Sequence, residues 1–290
     1  EHAHSQRGRH PTLSVVLCTR DRPVVLRETL DTLWRQTRMP DELVIIDDGR
    51  LEIDDIAATA RNHNVTFVYH NKSDRPGLAR SRRTGIDESS GDVILFLDDD
   101  VLLDENYLAG LMRVYENDEA NEIGGATGML TGFRYRPLQM ALLKFFGMDD
   151  PDREGQVLKN FFGVLVRNVE KPIDVQWLPG CNMSFRREAI ASIEIPQELE
   201  DYSQGEDRVI SWRVGRKWRL VATPEARLVH RKVPGSRIQP VRWGFQEVYY
   251  NYRHWRRHMP RDLAHLVAMA WTCVGYILIN VLRLDGRRVR

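Results

Sequence analysis

The feature that most constrains the fold is the stretch from Val93 to Asp100, in which five apolar residues run directly into three consecutive aspartates. A strand that is covered on both faces shows no polar alternation, so this run predicts a buried strand. Three adjacent carboxylates repel one another and are costly to bury without a cation. The stretch therefore predicts a strand that ends at a site for a hard divalent ion. The alternative is a solvated acidic turn before a helix.

Further apolar runs alternate with helix-like segments before and around this strand. The runs Leu13–Cys18 and Leu43–Ile46 end in Thr19-Arg20-Asp21 and Asp47-Asp48. Strands that alternate with helices imply right-handed βαβ crossovers and a mostly parallel central sheet, which places the chain in the α/β class. Ligands bind such sheets at the carboxyl ends of the strands. The three polar clusters are therefore predicted to line one crevice.

Composition and missing motifs exclude several classes of function. The 290 residues carry 42 Lys and Arg against 41 Asp and Glu, a net charge of +1, which argues against a nucleic-acid partner. No G-x-G-x-x-G or G-x-x-x-x-G-K-[ST] follows the first strand, so a dinucleotide fold or a P-loop would lack its phosphate cradle. The three cysteines have no CxxC spacing and fit a reducing, cytoplasmic setting.

An ordered series of segments carries a resemblance to a known family. The segments are Ser14–Arg22, Asp41–Gly49, Gly77–Gly85, Asp98–Asp100, Gly180–Arg187, Gly205–Asp207 and Gly215–Trp218. Together they resemble family-two glycosyltransferases of the GT-A fold, in particular bacterial members that act on cell-envelope or lipid-linked glycans. Two positions depart from the family pattern: Arg83 replaces a usual Asn, and Val209 stands where another acid is frequent. The resemblance implies a single GT-A domain, a DXD motif at Asp98–Asp100 and transfer of a sugar from a nucleotide-sugar.

The resemblance also implies a donor site and a metal site. Its donor is a UDP-, GDP- or dTDP-sugar, and its cofactor is Mn2+ or Mg2+, of which an imidazole ligand would favour manganese. The metal ligands would be Asp98, Asp100 and His230, although a single histidine after a strand can equally be a hydrogen-bonded surface residue. The implied donor-binding residues are Thr19, Arg20, Asp48, Gly77, Arg80, Arg82, Asp98 and Asp99.

On the acceptor side, Asp207 is the predicted general base. Inverting transfer requires one carboxylate that takes the proton of the acceptor hydroxyl, and Glu206-Asp207 begins a helix-like segment whose N-terminus stabilises a carboxylate. The predicted acceptor or sugar contacts are Trp177, Gly180, Asn182, Glu206 and Arg237. Two alternatives remain: a retaining transferase on the same fold, with no essential base at Asp207, and a non-catalytic module that binds a glycan or nucleotide.

The C-terminal segment differs in character from the rest of the chain. Residues 1–11 are predicted to be a disordered tail, 12–235 a catalytic domain with a nucleotide-sugar half (12–130) and an acceptor half (131–235), and 236–290 a helical extension. The extension is basic and aromatic, which suits an anionic membrane surface. Residues 263–282 are nearly uncharged and could span a membrane, lie on it or pack on protein. We expect association with the cytoplasmic face of the cell membrane and leave the oligomeric state open.

Overall fold

A computed structural model describes residues 10–72, 77–132, 135–191, 193, 204–233 and 240–286, with the backbone alone at 240–247 and 280–286. The strands are β1 (Leu13–Thr19), β2 (Glu42–Asp47), β3 (Thr66–Asn71), β4 (Val93–Asp98), β5 (Val101–Leu103), β6 (Ile123–Thr131), β7 (Ile173–Val175), β8 (Asn182–Arg186) and β9 (Arg219–His230). The α-helices are α1 (Pro23–Leu33), α2 (Asp54–Asn62), α3 (Leu78–Glu88), α4 (Tyr107–Glu116), α5 (Pro137–Phe145), α6 (Arg187–Ala191), α7 (Glu206–Val214), α8 (Pro240–His258) and α9 (Leu263–Gly286). A 3-10 turn covers Pro151–Arg153.

The strands form one sheet in the order β3-β2-β1-β4-β8-β6-β9-β5, with β7 paired to β9. The half from β3 to β4 is entirely parallel. Beyond β4 the sheet is mixed, because β8 runs antiparallel to β4 and β6, whereas β9 is parallel to β6. The α/β class and the parallel crossovers predicted from the alternating runs are confirmed, and every antiparallel pair of these strands involves β5, β7 or β8.

Both faces of the sheet are covered, which explains the unbroken apolar runs. Val15 and Leu17 of β1 point into one cluster with the buried faces of α1, α2 and α4. Val16, between them, points into a second cluster with α3, α6 and α7. Because neighbouring strand residues enter opposite cores, every residue of β2 is buried. The polar clusters at the ends of β1, β2 and β4 mix buried side chains, such as Asp47 and Asp99, with the exposed Arg20.

The two C-terminal helices pack on the domain through a third cluster. Trp255 of α8 and Met269 of α9 are each 4% exposed and lie with Phe161, Trp177 and Val209. One face of α9 therefore packs on protein. Within the described residues, no helix combines the length and apolar character needed to cross a membrane. The boundary predicted after residue 235 falls among residues outside the described ranges and stays a prediction.

Candidate active site

Strand register brings the predicted carboxylates and the predicted histidine together. In the parallel pair β1–β4, Cys18 lies opposite Asp98. In the short antiparallel pair β5–β9, Val101 lies opposite His230, so the histidine emerges beside the end of the aspartate triplet. Residues 98–100 and 230 are far apart in sequence, and this pairing is what joins them.

Asp100 and His230 form an ion pair at the floor of the crevice. His230 Nε2 lies 3.0 Å from Asp100 Oδ1, and the backbone N–H of Val233 donates to Asp100 Oδ2 at 2.9 Å. Burial by itself would raise the pKa of Asp100, but the hydrogen bonds and charges of His230 and Arg22 outweigh it and hold that pKa at about 2. Burial would likewise lower the pKa of His230, but Asp100 and the neighbouring Cys181 and Asp98 raise it to about 10.

A cluster of three potential ligand atoms lies at the same place. One ligand atom each from Asp98, Cys181 and His230 falls within a 4.8 Å span, with Asp98 Oδ2 3.7 Å from His230 Nε2. Cys181 lies beside Asp98 because Leu97 faces Asn182 in the antiparallel pair β4–β8, and Cys181 is the residue before Asn182. Carboxylate oxygens and an imidazole nitrogen are ligands that Mn2+ accepts, and a thiol adds a softer donor. This donor set, with Asp100 beside it, fits a divalent cation that takes the place of the His230 proton.

Asp99 is directed away from this cluster, toward the end of β1. Its Oδ2 accepts a hydrogen bond of 2.7 Å from Thr19 Oγ1, and its Oδ1 lies 3.2 Å from Arg22 Nη1. Arg22 also reaches Asp100 Oδ2 with Nη2 at 3.0 Å. The three consecutive aspartates therefore have different partners. Asp99 connects the end of β4 to β1, while Asp98 and Asp100 face His230.

Asp48, predicted at the nucleotide base, has its carboxylate engaged by the start of α3. The backbone N–H of Gly77 donates to Asp48 Oδ2 at 2.7 Å, and Lys72 Nζ lies 2.9 Å from Oδ1. Ser81 Oγ donates to both carboxylate oxygens at 3.1 Å. These contacts fix the position of α3, which carries Arg80 and Arg82, relative to the end of β2.

The arginines predicted near the donor occupy different environments. Arg20 is exposed at the crevice, with Nε 3.6 Å from Asp21 Oδ2, and Arg80 is half-buried on α3. Arg82 is 3% exposed, ion-paired with Glu206 and donates from Nη2 to the carbonyl of Gly180 at 2.8 Å. The same Nη2 lies 3.6 Å from Asp98 Oδ1.

Burial of the Arg82–Glu206 pair shifts both groups. Burial alone would lower the pKa of Arg82, but the carboxylates of Glu206 and Asp98 raise it above its ordinary value. Burial raises the pKa of Glu206, with Arg82 opposing that shift. Such a pair is costly to break, because either partner left alone would be an uncompensated buried charge.

Asp207 lies one residue further along α7 and is partly exposed. Its Oδ2 accepts from the Gly180 N–H at 2.9 Å and its Oδ1 accepts from the Arg208 N–H at 2.8 Å. Two backbone donors thus fix the direction of this carboxylate. A Cβ on Gly180 would lie 2.7 Å from Arg82 Nη2 and 3.2 Å from Asp207 Cβ, so glycine is what lets the two side chains approach.

Three predicted acceptor contacts have hydrogen-bond or ion-pair partners inside the fold. Asn182 is 0% exposed; its Oδ1 accepts from Tyr107 and its Nδ2 donates to the Gly128 carbonyl. Trp177 is 8% exposed and donates from Nε1 to the Val164 carbonyl. The carboxylate of Glu206 is occupied by Arg82. All three side chains are buried and have partners inside the fold, and their contact with a sugar or acceptor stays a prediction. Arg237 lies outside the described residues.

Sequence reasoning missed three residues that organise the site. Arg22 joins Asp99 to Asp100, Cys181 lies among the metal-site atoms, and Arg208 joins α7 to its surroundings. Arg208 Nη1 donates at 2.8 Å both to the Phe161 carbonyl and to Asn251 Oδ1. Arg22 and Cys181 lie inside the motifs that carry the resemblance, but nothing in their spacing assigns them partners from other strands or helices.

Comparison with known proteins identifies a family and several relatives. A family model described as glycosyl transferase family 2 matches residues 14–193. The chain is 27% identical to the glucosyl-dolichyl phosphate glucuronosyltransferase of Haloferax volcanii over 184 residues, which are 62% of this chain and 54% of that protein. It is also 27% identical to the GalNAc(5)-diNAcBac-PP-undecaprenol beta-1,3-glucosyltransferase of Campylobacter jejuni, over 39% of this chain and 38% of that one. The chain therefore spans about half or less of these relatives.

Two solved structures share the fold. The mannosyltransferase PcManGT of Pyrobaculum calidifontis, in complex with GDP-Man and Mn2+, superposes with a TM-score of 0.60 at 15% identity, covering 97% of this chain and 81% of that one. GalNAc-T7 with UDP, GalNAc and Mn2+ superposes with a TM-score of 0.59 at 18% identity, covering 77% and 44%. At this identity the likeness concerns the fold, and it confirms the GT-A architecture that the sequence predicts.

Proposed function

Because the chain belongs to glycosyl transferase family 2, we propose that it moves a sugar from a nucleoside-diphosphate-sugar to a hydroxyl of a glycan or lipid-linked acceptor. We assign inversion of the anomeric carbon to the reaction, with Asp207 as the general base. The donor would lie across the carboxyl ends of β1, β2 and β4, close to Arg20, which follows β1, and Arg80, in the first turn of α3.

The observation that carries this proposal is a continuous chain of contacts between the donor side and the proposed base. It runs from Asp98 to Arg82 at 3.6 Å, from Arg82 to the Gly180 carbonyl at 2.8 Å, and from the Gly180 N–H to Asp207 at 2.9 Å. The metal-side carboxylates and the base are thus held in one rigid arrangement. Orientation of this kind lowers the barrier of a bimolecular transfer by fixing the reacting groups in advance.

Asp207 has the geometry that a base requires. It lies in the first turn of α7, where the helix N-terminus favours negative charge. Each carboxylate oxygen accepts one backbone hydrogen bond, so each keeps a lone pair for an acceptor hydroxyl. A retaining transferase or a non-catalytic module would have no use for a carboxylate oriented in this way.

The proposed cofactor is Mn2+ or Mg2+, held by Asp98, Asp100 and His230 with Cys181 beside them. A bound divalent ion would supply Lewis-acid stabilisation of the charge on the diphosphate leaving group. The protein's own residues would hold the diphosphate with Arg20 and Arg80 and keep Asp98 in place through Arg82.

The proposed acceptor and location draw support from the relatives. Their names refer to dolichyl phosphate and PP-undecaprenol, both lipid carriers. The described cysteines are free thiols, as a reducing compartment would keep them. We therefore place the reaction at the cytoplasmic face of the cell membrane, on a lipid-linked or glycan acceptor.

Asp207→Asn tests the base. The amide oxygen can still accept one of the two backbone hydrogen bonds, from Gly180 or from Arg208, so the fold and donor binding should survive. Sugar transfer should fall by roughly a hundredfold or more because the proton acceptor is lost. Transfer would be measured with radiolabelled nucleotide-sugars, and donor binding by calorimetry in the presence of Mn2+.

Asp87→Asn is the matched control, since Asp87 is an exposed carboxylate on α3 whose side chain is 55% accessible. It should transfer sugar at the unmodified rate. Near-normal turnover by Asp207→Asn would contradict the base assignment, and a product of retained anomeric configuration by NMR would favour the retaining alternative.

A further inference from the structure

The outer face of α9 is an exposed apolar stripe. Its members recur three or four residues apart and are between 42% and 76% exposed: Leu263, Leu266, Val267, Trp271, Val274, Ile277 and Leu278. This spacing places them on one side of the helix. Seven large apolar side chains on one face of a helix form a patch, unlike the single exposed residues that are common on protein surfaces.

The opposite face of the same helix is fixed to the domain. Met269 and Thr272 are 4% and 1% exposed, and Thr272 Oγ1 donates to the Phe146 carbonyl at 2.9 Å. Asn160 Nδ2 donates to Thr272 Oγ1 at 2.5 Å. Since the inward face already has its partners, the outward stripe is a second, separate surface.

Helix α5 extends the stripe. Trp271 Nε1 donates to the Phe145 carbonyl at 2.7 Å, and the two rings meet edge to face at 5.2 Å. Phe145 is 63% exposed, and Leu138, seven residues earlier on the same side of α5, is 73% exposed. We call the stripe together with Phe145 and Leu138 the α5–α9 surface.

Positive charge is concentrated where the stripe begins. Residues 250–279 contain four arginines, at 253, 256, 257 and 261, and a single acid, Asp262. Arg256 and Arg257 are exposed in the last turn of α8, and Arg261 is exposed in the connection to α9, shortly before Leu263. Tyr252, 45% exposed, lies on the preceding turn of α8. Apolar residues bordered by arginines and aromatic rings are the composition of helices that lie in a membrane interface.

We propose that the α5–α9 surface docks the protein onto an anionic lipid bilayer, with α9 lying along the interface and its N-terminal arginines at the phosphate headgroups. The charge distribution favours this partner over a second copy of the chain, because the same surface of a second copy offers these arginines a single acid, Asp262, whereas an anionic bilayer offers many phosphates. Buried apolar side chains would supply the affinity and the arginines the preference for anionic lipid.

The docking surface is held in a fixed relation to the proposed base. Asn251 of α8 accepts from Arg208 Nη1 at 2.8 Å, and its own Nδ2 donates to the Asn160 carbonyl at 3.0 Å. Arg208 follows Asp207 on α7, so these contacts join α7 to α8, and Asn160, which also donates to Thr272, extends the connection to α9. Docking would thus orient the crevice relative to the lipid, an advantage that depends on the proposed lipid-linked acceptor.

The test is sedimentation of the full chain with vesicles of one part phosphatidylglycerol to two parts phosphatidylcholine. Val267→Glu and Ile277→Glu should each weaken vesicle binding roughly tenfold or more, since a charge would have to enter the apolar boundary. Changing Arg256 and Arg257 together to Gln should weaken binding to the anionic vesicles by roughly fivefold per arginine. It should have little effect with pure phosphatidylcholine.

Val24→Glu is the matched control, because Val24 is an equally exposed apolar residue, 69% accessible, on α1. It changes the net charge by the same amount and should bind vesicles as the unmodified chain does. Equal losses in Val24→Glu and Ile277→Glu would overturn the assignment of the surface, as would an unmodified chain that does not sediment with vesicles. A dimer in analytical ultracentrifugation that Ile277→Glu dissociates, without vesicle binding, would show that a second copy covers the surface.

Sedimentation with vesicles measures lipid binding and needs no sugar transfer, so the docking surface and the proposed function can fail separately. If the chain binds vesicles through this surface but turns over no nucleotide-sugar, the proposed function is wrong and the docking surface stands. If Mn2+-dependent nucleotide binding is normal and vesicle binding is absent, the docking surface is wrong and the proposed function is untouched.

Discussion

Arg82 shows how one buried side chain can organise a polar site. It is 3% exposed and touches Glu206, the Gly180 carbonyl and Asp98, which come from three separate parts of the chain. A guanidinium presents several donors in a fixed plane, so it can hold these partners at defined angles, whereas a lysine would make a single point contact. The position of Asp207 relative to Asp98 therefore depends on an arginine that touches Asp98 and reaches Asp207 through Gly180 and through the neighbouring Glu206.

At the same scale, Asp100 and His230 are predicted metal ligands. We expect Asp100→Asn and His230→Ala each to weaken Mn2+ binding by roughly tenfold or more. Even the substitution of residues that only hydrogen-bond to metal ligands usually lowers metal affinity by that factor. Manganese binding would be followed by the loss of the free-ion EPR signal, and nucleotide binding by calorimetry with and without the ion.

His70→Ala is a suitable control for these variants. The imidazole of His70 also pairs with a carboxylate, with Nδ1 3.0 Å from Glu88 Oε1, but His70 lies on the edge strand β3. Its manganese affinity should be that of the unmodified chain. Unchanged affinity in Asp100→Asn and His230→Ala would place the metal site elsewhere.

At the scale of elements, short contacts between strands and helices bring the residues of the candidate site together. The pairing of β5 with β9 involves only three residues in register, yet it brings His230 to Asp100. Likewise α7 is positioned at its start by Gly180 and Arg82 and along its length by Ser211 Oγ, which accepts from the Leu178 N–H at 3.0 Å. These contacts connect the loop before β8 to the helix that carries the proposed base.

Helix α8 is fastened to the residues before α7 by a buried histidine. His254 is 5% exposed and its Nε2 lies 3.1 Å from the Gln204 carbonyl. Burial lowers the pKa of His254 to about 3, with the charge of Arg208 adding to the shift. A neutral Nε2–H donates to the carbonyl, so the folded state keeps this imidazole uncharged.

This shift predicts a loss of stability in mild acid. Between the ordinary pKa of histidine and the folded value near 3, the unfolded chain binds the proton and the folded chain does not, so stability falls as the pH falls through this window. From pH 7 to pH 5 the contribution of His254 should amount to about 2 kcal/mol of unfolding free energy.

The His254→Gln variant isolates this contribution, because a glutamine amide can donate to the same carbonyl and does not titrate. Urea unfolding at both pH values should show a difference between pH 7 and pH 5 that is about 2 kcal/mol smaller in His254→Gln than in the unmodified chain. Equal pH dependence in the two proteins would mean that His254 is protonated in the folded state or accessible to solvent.

At the scale of the whole molecule, one sheet carries the strand ends of the proposed donor site, and the C-terminal helices pack on the same domain. The parallel half supplies the ends of β1, β2 and β4, and the mixed half supplies β8 and β9 with Cys181 and His230. The third cluster then joins α7 to α8 and α9 through Val209, Trp255 and Met269. Donor site, base and proposed docking surface are therefore parts of one packed structure.

Ligand binding to this structure should raise its thermal stability as a whole. A nucleoside diphosphate at about a hundred times its dissociation constant should stabilise the folded state by about 2.7 kcal/mol. We expect the effect with Mn2+ present and a much smaller one without it, because the ion would offset the diphosphate charge beside three aspartates. A thermal-shift screen over UDP, GDP and dTDP would identify the base.

Adenosine diphosphate with Mn2+ serves as the comparison ligand, and Asp100→Asn as the matched protein control. Stabilisation by one nucleotide in the unmodified chain and its loss in Asp100→Asn would support the donor site. Absence of stabilisation by every nucleotide tested would contradict a nucleotide-sugar donor.

The sequence by itself determined the α/β class, the places where strands end and the identity of the polar residues found there. Unbroken apolar runs are diagnostic because a strand covered on both faces buries neighbouring residues alike and so lacks the alternation of a half-exposed strand. Helices α3 and α7 begin at the residues that the pattern indicates. The ordered motifs also predicted the GT-A fold and brought Asp98, Asp100, His230, Arg82 and Asp207 forward as candidates, and the structure places these five in one connected site.

Only the tertiary structure decided what each polar residue contacts. Asp99 contacts Thr19 and Arg22, the Asn182 side chain forms its hydrogen bonds inside the fold, and Glu206 pairs with Arg82. All three residues lie in motifs that suggest ligand contact. Cys181 and Arg208 gained their roles from strand and helix pairings between distant segments. The physical reason is that local patterns report burial and secondary structure, whereas hydrogen-bond partners depend on register and packing between elements that are far apart in the chain.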